Sequence, residues 1–253
     1  MHTDSVEAGV KLVPSSNWTL EQEGAERVEI AGLSDKHQVT ATLGGTLSGK
    51  LLPLQILHQG KTERCHPSQT FTDGFYIWHT PNHWANEETT LRFIENVILS
   101  YVQDLREKSS TPDQAALAIF DVFKGHMCDS VHTLLERNKI LQVHVPNNCT
   151  DLLQPLDLSV NKLFKDKLRS KFSDWSAQEV SKQLEAGTQV EEVHVNMPIS
   201  VMKKLSSQWS ISAYDHIQSN PDIVKNGFKK ARITELGEGS SRSRCRSRSP
   251  RAE

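Results

Sequence analysis

Ala115-Ala116-Leu117-Ala118-Ile119-Phe120 is an unbroken apolar run that stops at a carboxylate, Asp121. A short run without alternation fits a strand buried on both faces, with the acid at its C-terminal tip. Gly125 and His126 break the strand, and Asp129 or Ser130 can cap a helix over Val131 to Asn138. A second apolar strand, Ile140 to Val145, is closed by Pro146-Asn147-Asn148. Thr150-Asp151-Leu152-Leu153-Gln154-Pro155-Leu156-Asp157 then leads into a long helix. Strand, helix, strand, helix is a right-handed βαβ unit, which makes the two strands parallel neighbours. Asp121 at the first strand's tip and Asp157 at the last helix's start then meet over one sheet edge. Two carboxylates gathered from distant positions repel each other unless a cation lies between them. The pair therefore points to a magnesium or manganese site.

Composition sets the bounds. With 253 residues the chain can hold one α/β domain and a helical extension. A mean hydropathy of −0.49 fits a water-facing surface around a core, and no apolar run has membrane-spanning length. No basic-then-apolar leader opens the sequence. Cys65, Cys128, Cys149 and Cys245 lie far apart without CxxC spacing and read as reduced thiols. The net charge of −2 hides an asymmetry, because residues 240–253 hold five arginines and one glutamate and the remainder is about −6. A nucleic-acid contact must then rest on local patches and not on a global field.

The first sixty residues read as an antiparallel meander of three strands. Met1 to Val13 forms the first strand, broken at Pro14 to Asn17, and Thr19 to Glu23 resembles a capped helical turn. Val28-Glu29-Ile30 and Lys36 to Leu47 follow, and Ser48-Gly49 turns the chain into Leu51 to His58. Residues 59–85 are polar, aromatic and irregular, the composition of a functional loop. Cys65, His66, His79 and His83 have the side chains of a zinc site without its close cysteine spacing, so they read as loop and core residues. Leu91, Ile94, Val97, Ile98, Tyr101, Val102 and Leu105 form the buried stripe of a helix starting at Asn86. Past Asp157, Val160, Leu163, Phe164, Leu168 and Phe172 mark a helix face, with Lys162, Lys165, Lys167, Arg169 and Lys171 around it. Those cations suit a solvated surface and a phosphate-contacting one equally. Gly187 ends a further helix, Met202 to Ile217 carries another stripe, and Pro221 opens a last helix. From Gly237 the chain is Ser-Arg repeat, too polar to fold and suited to protein partners.

Ile119-Phe120-Asp121 with His126 five residues on, Val145 to Asp151, and Leu153-Gln154-Pro155-Leu156-Asp157 resemble the DDE-type transposase domain of pogo- and Tigger-like elements, within the mariner superfamily. Gly32-Leu33, Thr46 to Lys50 and Asn226-Gly227-Phe228 carry the likeness outward, so that it extends from Gly9 to Ile233. Between Asp121 and Asp157 lie 35 residues, the kind of interval such domains place between their second and third acids. The resemblance implies an RNase H-like mixed sheet: an antiparallel meander plus parallel βαβ strands, flanked by helices and followed by a helical extension. It implies two-metal phosphodiester chemistry with Mg2+ or Mn2+, DNA as partner and the nucleus as location. Three acids would hold two ions roughly 4 Å apart.

Asp121 and Asp157 are the catalytic and metal-binding candidates, and Lys162, Lys165, Arg169 and His126 the nucleic-acid-binding ones. Aligned through Gly9-Val10-Lys11-Leu12-Val13, the family's first acid falls on Val6. Asp4 is a doubtful substitute, roughly 7 Å away along the strand, and Glu7 points to the opposite face. The expectation is a transposase-derived endonuclease-like domain over 1–175, a helical extension over 176–236 and a disordered tail over 237–253. It binds DNA, and its triad is incomplete. The upstream helix-turn-helix region of such transposases is expected to be missing, since the first predicted strand begins almost at Met1. The rival readings are an active endonuclease using Asp4 and a non-enzymatic nuclear interaction protein.

Overall fold

The computed structural model describes residues 2–11, 38–68, 71, 74–146 and 148–233, with only the backbone of 2–11. Its strands are β1 (His2–Lys11), β2 (Gln38–Thr46), β3 (Leu54–Gln59), β4 (Phe75–Thr80), β5 (Ala116–Phe120) and β6 (Ile140–His144). They form one sheet in the order β4-β3-β2-β1-β5-β6. β1 pairs antiparallel with β2, and β2 with β3, which is the expected meander. β5 runs parallel to β6, as the two apolar runs predict, and also parallel to β1. An antiparallel trio whose first strand is flanked by a parallel pair is the RNase H-like arrangement.

The β2–β3 turn follows from Gly49, whose φ of +94° suits a residue without a side chain. Its N–H donates to the Thr46 carbonyl at 2.9 Å, and the Thr46 N–H to that of Lys50 at 3.0 Å. The irregular stretch expected over 59–85 contains a strand, β4, which lies parallel to β3 over its whole length. Phe75-Tyr76-Ile77-Trp78-His79-Thr80 has the aromatic content of a strand. At the sheet edge only Thr80 of the six is fully buried, so no alternation of polar and apolar residues marks it.

One face of the sheet carries the long helical stretch. Asn86 caps α1 (Glu87–Phe93): its side chain accepts from the Thr89 N–H at 3.0 Å, while Thr89 Oγ1 accepts from the Asn86 N–H at 2.8 Å. A π-helical segment, Ile94–Leu99, leads without a break into α2 (Ser100–Lys108). Ile94, Val97, Ile98, Tyr101 and Val102 of the predicted stripe, joined by Phe93, are buried with Ala116, Ala118 and Phe120 of β5, and Leu91 and Leu105 are partly buried against them. α3 (Asp129–Arg137) adds Val131 and Leu135 to that layer. It begins at Asp129 with Cys128 in the cap position, so neither Asp129 nor Ser130 acts as the side-chain cap. Buried Arg106 donates to the carbonyls of Gln114 at 3.0 Å and Asn138 at 2.9 Å, tying the helix end to the approaches of β5 and β6.

After β6 comes the single turn α4 (Thr150–Leu153), and then α5 (Val160–Glu185), α6 (Ile199–Gln218) and α7 (Pro221–Lys230) cover the other face. Val160, Phe164, Leu168 and Phe172, four residues apart, pack with Leu43, Ile56, Trp209, Ile217 and Phe228 in one cluster. α5 is one continuous helix where two were expected, and Gly187 (φ +88°) follows its end. The boundary at 175/176 falls inside α5, and helices on both sides of it share that cluster. Among the described residues no helix is long and apolar enough to cross a membrane. The helical turn at Thr19 to Glu23, the strand at Val28 to Ile30 and the Ser-Arg tail lie outside the described residues.

Candidate metal and nucleic-acid site

Asp121 leaves the tip of β5 with its side chain about one-quarter exposed (27%). Behind it, a short 3-10 turn, Lys124–Met127, carries His126, which is 1% exposed. The His126 ring is held between Phe120 and Phe123, with centroids 4.8 and 5.5 Å away, and its carbonyl accepts from Gln142 Nε2 at 2.7 Å. Its Nδ1 lies 2.8 Å from Asp121 Oδ1, close enough for an ion pair when the ring is protonated but off the line of a hydrogen bond. Oδ1 is thus buried without an aligned donor. His126 was expected to meet nucleic acid. Its burial leaves no surface for that, and its position suits orienting Asp121. His144 of β6 joins the same corner, with Nδ1 at 3.4 Å from the Asp121 carbonyl oxygen.

Asp157 sits three residues before α5, in the turn that begins at Gln154, and not on the helix itself. Two close approaches fix that turn. Leu156 is fully buried against β2, where a Cβ on Gly45 would meet its Cδ2 at 2.7 Å. A Cβ on Gly227 would meet the Pro155 carbonyl oxygen at 2.2 Å, so α7 can seat there only with glycine at that point. Asn161, one helical turn on, donates from Nδ2 to Asp157 Oδ1 at 2.7 Å. Burial pushes the Asp157 carboxyl above its ordinary range, the Asn161 bond opposes this, the charge of Asp121 adds to it, and Lys165 offsets part. The two carboxylates therefore feel one another across the corner.

The donors here are carboxylate and amide oxygens, and Oδ1 of Asp121 and of Asn161 are buried without hydrogen-bond partners. That set suits a hard divalent ion. Among the described residues it supplies two carboxylates, Asp121 and Asp157. β1 pairs His2 with Leu117, Thr3 with Ala118, Asp4 with Ile119 and Ser5 with Phe120. The pairing ends there, with Val6 the residue after Ser5 and Asp121 the residue after Phe120, while Asp4 is level with Ile119, two residues short of Asp121.

Among the cations, Lys162 is exposed and Lys165 half-buried near Asp157, whereas Arg169 is paired with Asp166 at 2.6 Å. Lys230 of α7 joins Lys162 on this surface, its Nζ donating to the Leu158 carbonyl at 3.1 Å. Asn161 and Lys230 escaped the sequence reading. The i, i+4 spacing from Asp157 could have flagged Asn161, but nothing local links Lys230 to residue 158.

The raised carboxyl of Asp157 makes a signed prediction. A group whose folded pKa lies above its unfolded value stabilises the fold below the unfolded pKa. That contribution is lost as pH rises through the folded one. Without divalent ions, Asp157→Asn should unfold at a higher temperature than the wild type at about pH 7 and at nearly the same temperature at about pH 3. Thermal unfolding at the two pH values checks this, and equal melting temperatures at the higher pH would contradict it.

The family model described as DDE superfamily endonuclease matches residues 36–217. The human protein described as pogo transposable element with KRAB domain is 28% identical over 233 residues, covering 90% of this chain and 34% of that protein. Its mouse counterpart is 28% identical over 204 residues, covering 79% and 30%. The chain thus spans about a third of the length of these curated relatives. Among solved structures, it is similar to a pre-cleavage Mos1 transpososome (TM-score 0.44, 9% identity, 87% of this chain and 55% of that one). The catalytic domain of Mos1 mariner transposase gives a TM-score of 0.40 at 10% identity, over 87% and 81%.

Proposed function

The chain belongs to the DDE superfamily endonucleases, and on that footing we propose that it is a transposase-derived domain that binds DNA and whose cleavage chemistry is impaired at Val6. The observation that carries this reading is the β1–β5 register, which ends at Ser5 with Phe120, so that the residue following on β1 is a valine and not a carboxylate where Asp121 follows on β5. In this reading Asp121 and Asp157 hold one magnesium or manganese ion between them. When bound, such an ion polarises a phosphoryl oxygen. His126 fixes the Asp121 carboxylate from behind, and Asn161 fixes that of Asp157. Lys162, Lys165 and Lys230 form the patch that receives the DNA backbone, with Arg169 held back by Asp166. A missing carboxylate leaves a second ion without its ligand, which separates DNA binding from DNA cutting. Two levels of β1 lie between Asp4 and Asp121, so nothing favours Asp4 as a replacement. With DNA as the ligand, the nucleus is the compartment this reading implies. Protein partners of the Ser-Arg tail remain part of the same proposal.

Salt dependence tests the DNA patch. Each lost phosphate contact lowers the slope of log K against log salt by about 0.9. Fluorescence anisotropy with a labelled duplex should therefore show the Lys162→Gln/Lys165→Gln pair flattening the slope by about 2. An unchanged slope, or a wild type that does not bind, would contradict the reading.

A further inference from the structure

The parallel pairing of β4 with β3 sets His58 and His79 opposite one another, and parallel neighbours at the same level direct their side chains to the same face. The chain between these strands passes through a 3-10 turn, Glu63–Cys65, that returns Cys65 and His66 to the same place. One ligand atom from each of Cys65, His66 and His79 lies within 4.8 Å of the others. His66 Nε2 and His79 Nδ1 are 3.1 Å apart. Two nitrogens on a tetrahedral zinc, each about 2.05 Å from the metal, are separated by about 3.3 Å. The same geometry puts bound imidazole centroids about 5 Å apart. His66 and His79 centroids are 5.1 Å apart, and those of His58 and His66 are 5.8 Å apart.

His58 supplies an independent observation. It is 1% exposed, and neither ring nitrogen has a hydrogen-bond partner. A buried imidazole with two unsatisfied nitrogens carries a desolvation cost that a bound ion removes. Gly60 is built around the same cluster, since a Cβ there would meet Cys65 Sγ at 2.5 Å. Neither His58 nor His83 is among the three converging residues, but His58 adjoins them through its ring contact with His66 and its pairing with His79.

We propose that Cys65, His66 and His79, closed by His58, hold one zinc-type ion that ties the β3–β4 crossover to the sheet edge. The donor set, one thiolate and three imidazoles, selects zinc over magnesium, so this site is separate in chemistry and place from the carboxylate corner. Burial first, with Lys203 and His66 adding, holds His58 down to about 3, and burial lowers His66 as well, so both are neutral and ligand-ready near neutral pH. Burial raises the Cys65 thiol, which a metal deprotonates on binding. Lys203, whose Nζ donates to the Cys65 carbonyl at 2.9 Å, opposes the ion's charge, while Glu63 and the thiolate offset it.

Cobalt(II) is the probe, titrated into the reduced full chain in excess magnesium. The expected result is a thiolate-to-cobalt charge-transfer band that saturates at one ion per chain and is displaced by zinc. Cys65→Ser should lose the band and Cys128→Ser keep it. His58→Phe, which preserves a buried ring, should weaken cobalt binding about tenfold or more. No band in the wild type, or an unchanged band in Cys65→Ser, would overturn the site. Unchanged affinity in His58→Phe would overturn the assignment of the fourth ligand. Because the wild-type titration is decisive alone, a variant that fails to fold leaves the proposal open to refutation.

Discussion

Replacing Val6 with aspartate should raise manganese-dependent nicking of supercoiled plasmid about a hundredfold or more over the wild type. The register supplies the physical basis. β1 and β5 step together from His2 with Leu117 to Ser5 with Phe120, and residue 6 and Asp121 are the next residues on these two hydrogen-bonded neighbours. Aspartate and valine are close in shape, so the substitution changes charge far more than volume. A carboxylate there would join Asp121 and Asp157 and complete three acids for two ions. Single electrostatic groups in active sites are worth about two to three decades in rate, and a direct ligand of the ions should be worth at least that. Val6→Asn has the same shape without the charge and should gain nothing. Asp121→Ala placed on Val6→Asp should remove the gain. Nicking by the wild type that disappears in both Asp121→Ala and Asp4→Ala would instead make Asp4 the third ligand.

Local pattern and local chemistry carried much of the architecture. The apolar run before Asp121 could be read as a central strand because β5 is covered on one face by the α1–α2 stretch and on the other by α5. The helix stripes were legible for the same reason, since each buries one face. What escaped depends on pairing across the fold. β4 sits at an edge, half-covered, and only its register with β3 reveals that His79 stands opposite His58. The cysteine and histidine pattern at 65, 66 and 79 therefore looked like loop chemistry, because spacing along the chain does not measure distance across a sheet. His126 looked available to DNA from its polarity, while the Phe120 and Phe123 rings bury it. Asp157 was expected at a helix start, but Leu156 and Gly227 hold it in the preceding turn. Asp121 was legible as a strand-tip acid, because the apolar run before it ends abruptly there.

That turn also sets the character of the site. Asp157 is kept where burial and Asp121 both disfavour its charge, a local cost that a divalent ion would relieve. Val6 reduces that conflict in the metal-free protein, since a third carboxylate would add to the repulsion. In the proposed reading, the valine that withholds a ligand also makes the ion less necessary for the fold.

The central claim is that Asp121 and Asp157 share one ion and that residue 6 withholds the ligand for another. Manganese binding counted by calorimetry tests it most directly, with one equivalent of zinc per chain to occupy the thiolate–imidazole cluster and none left to compete at the carboxylates. One manganese ion per wild-type chain, none in Asp157→Ala and two in Val6→Asp are expected. Two ions in the wild type, or one that persists in Asp157→Ala, would contradict it.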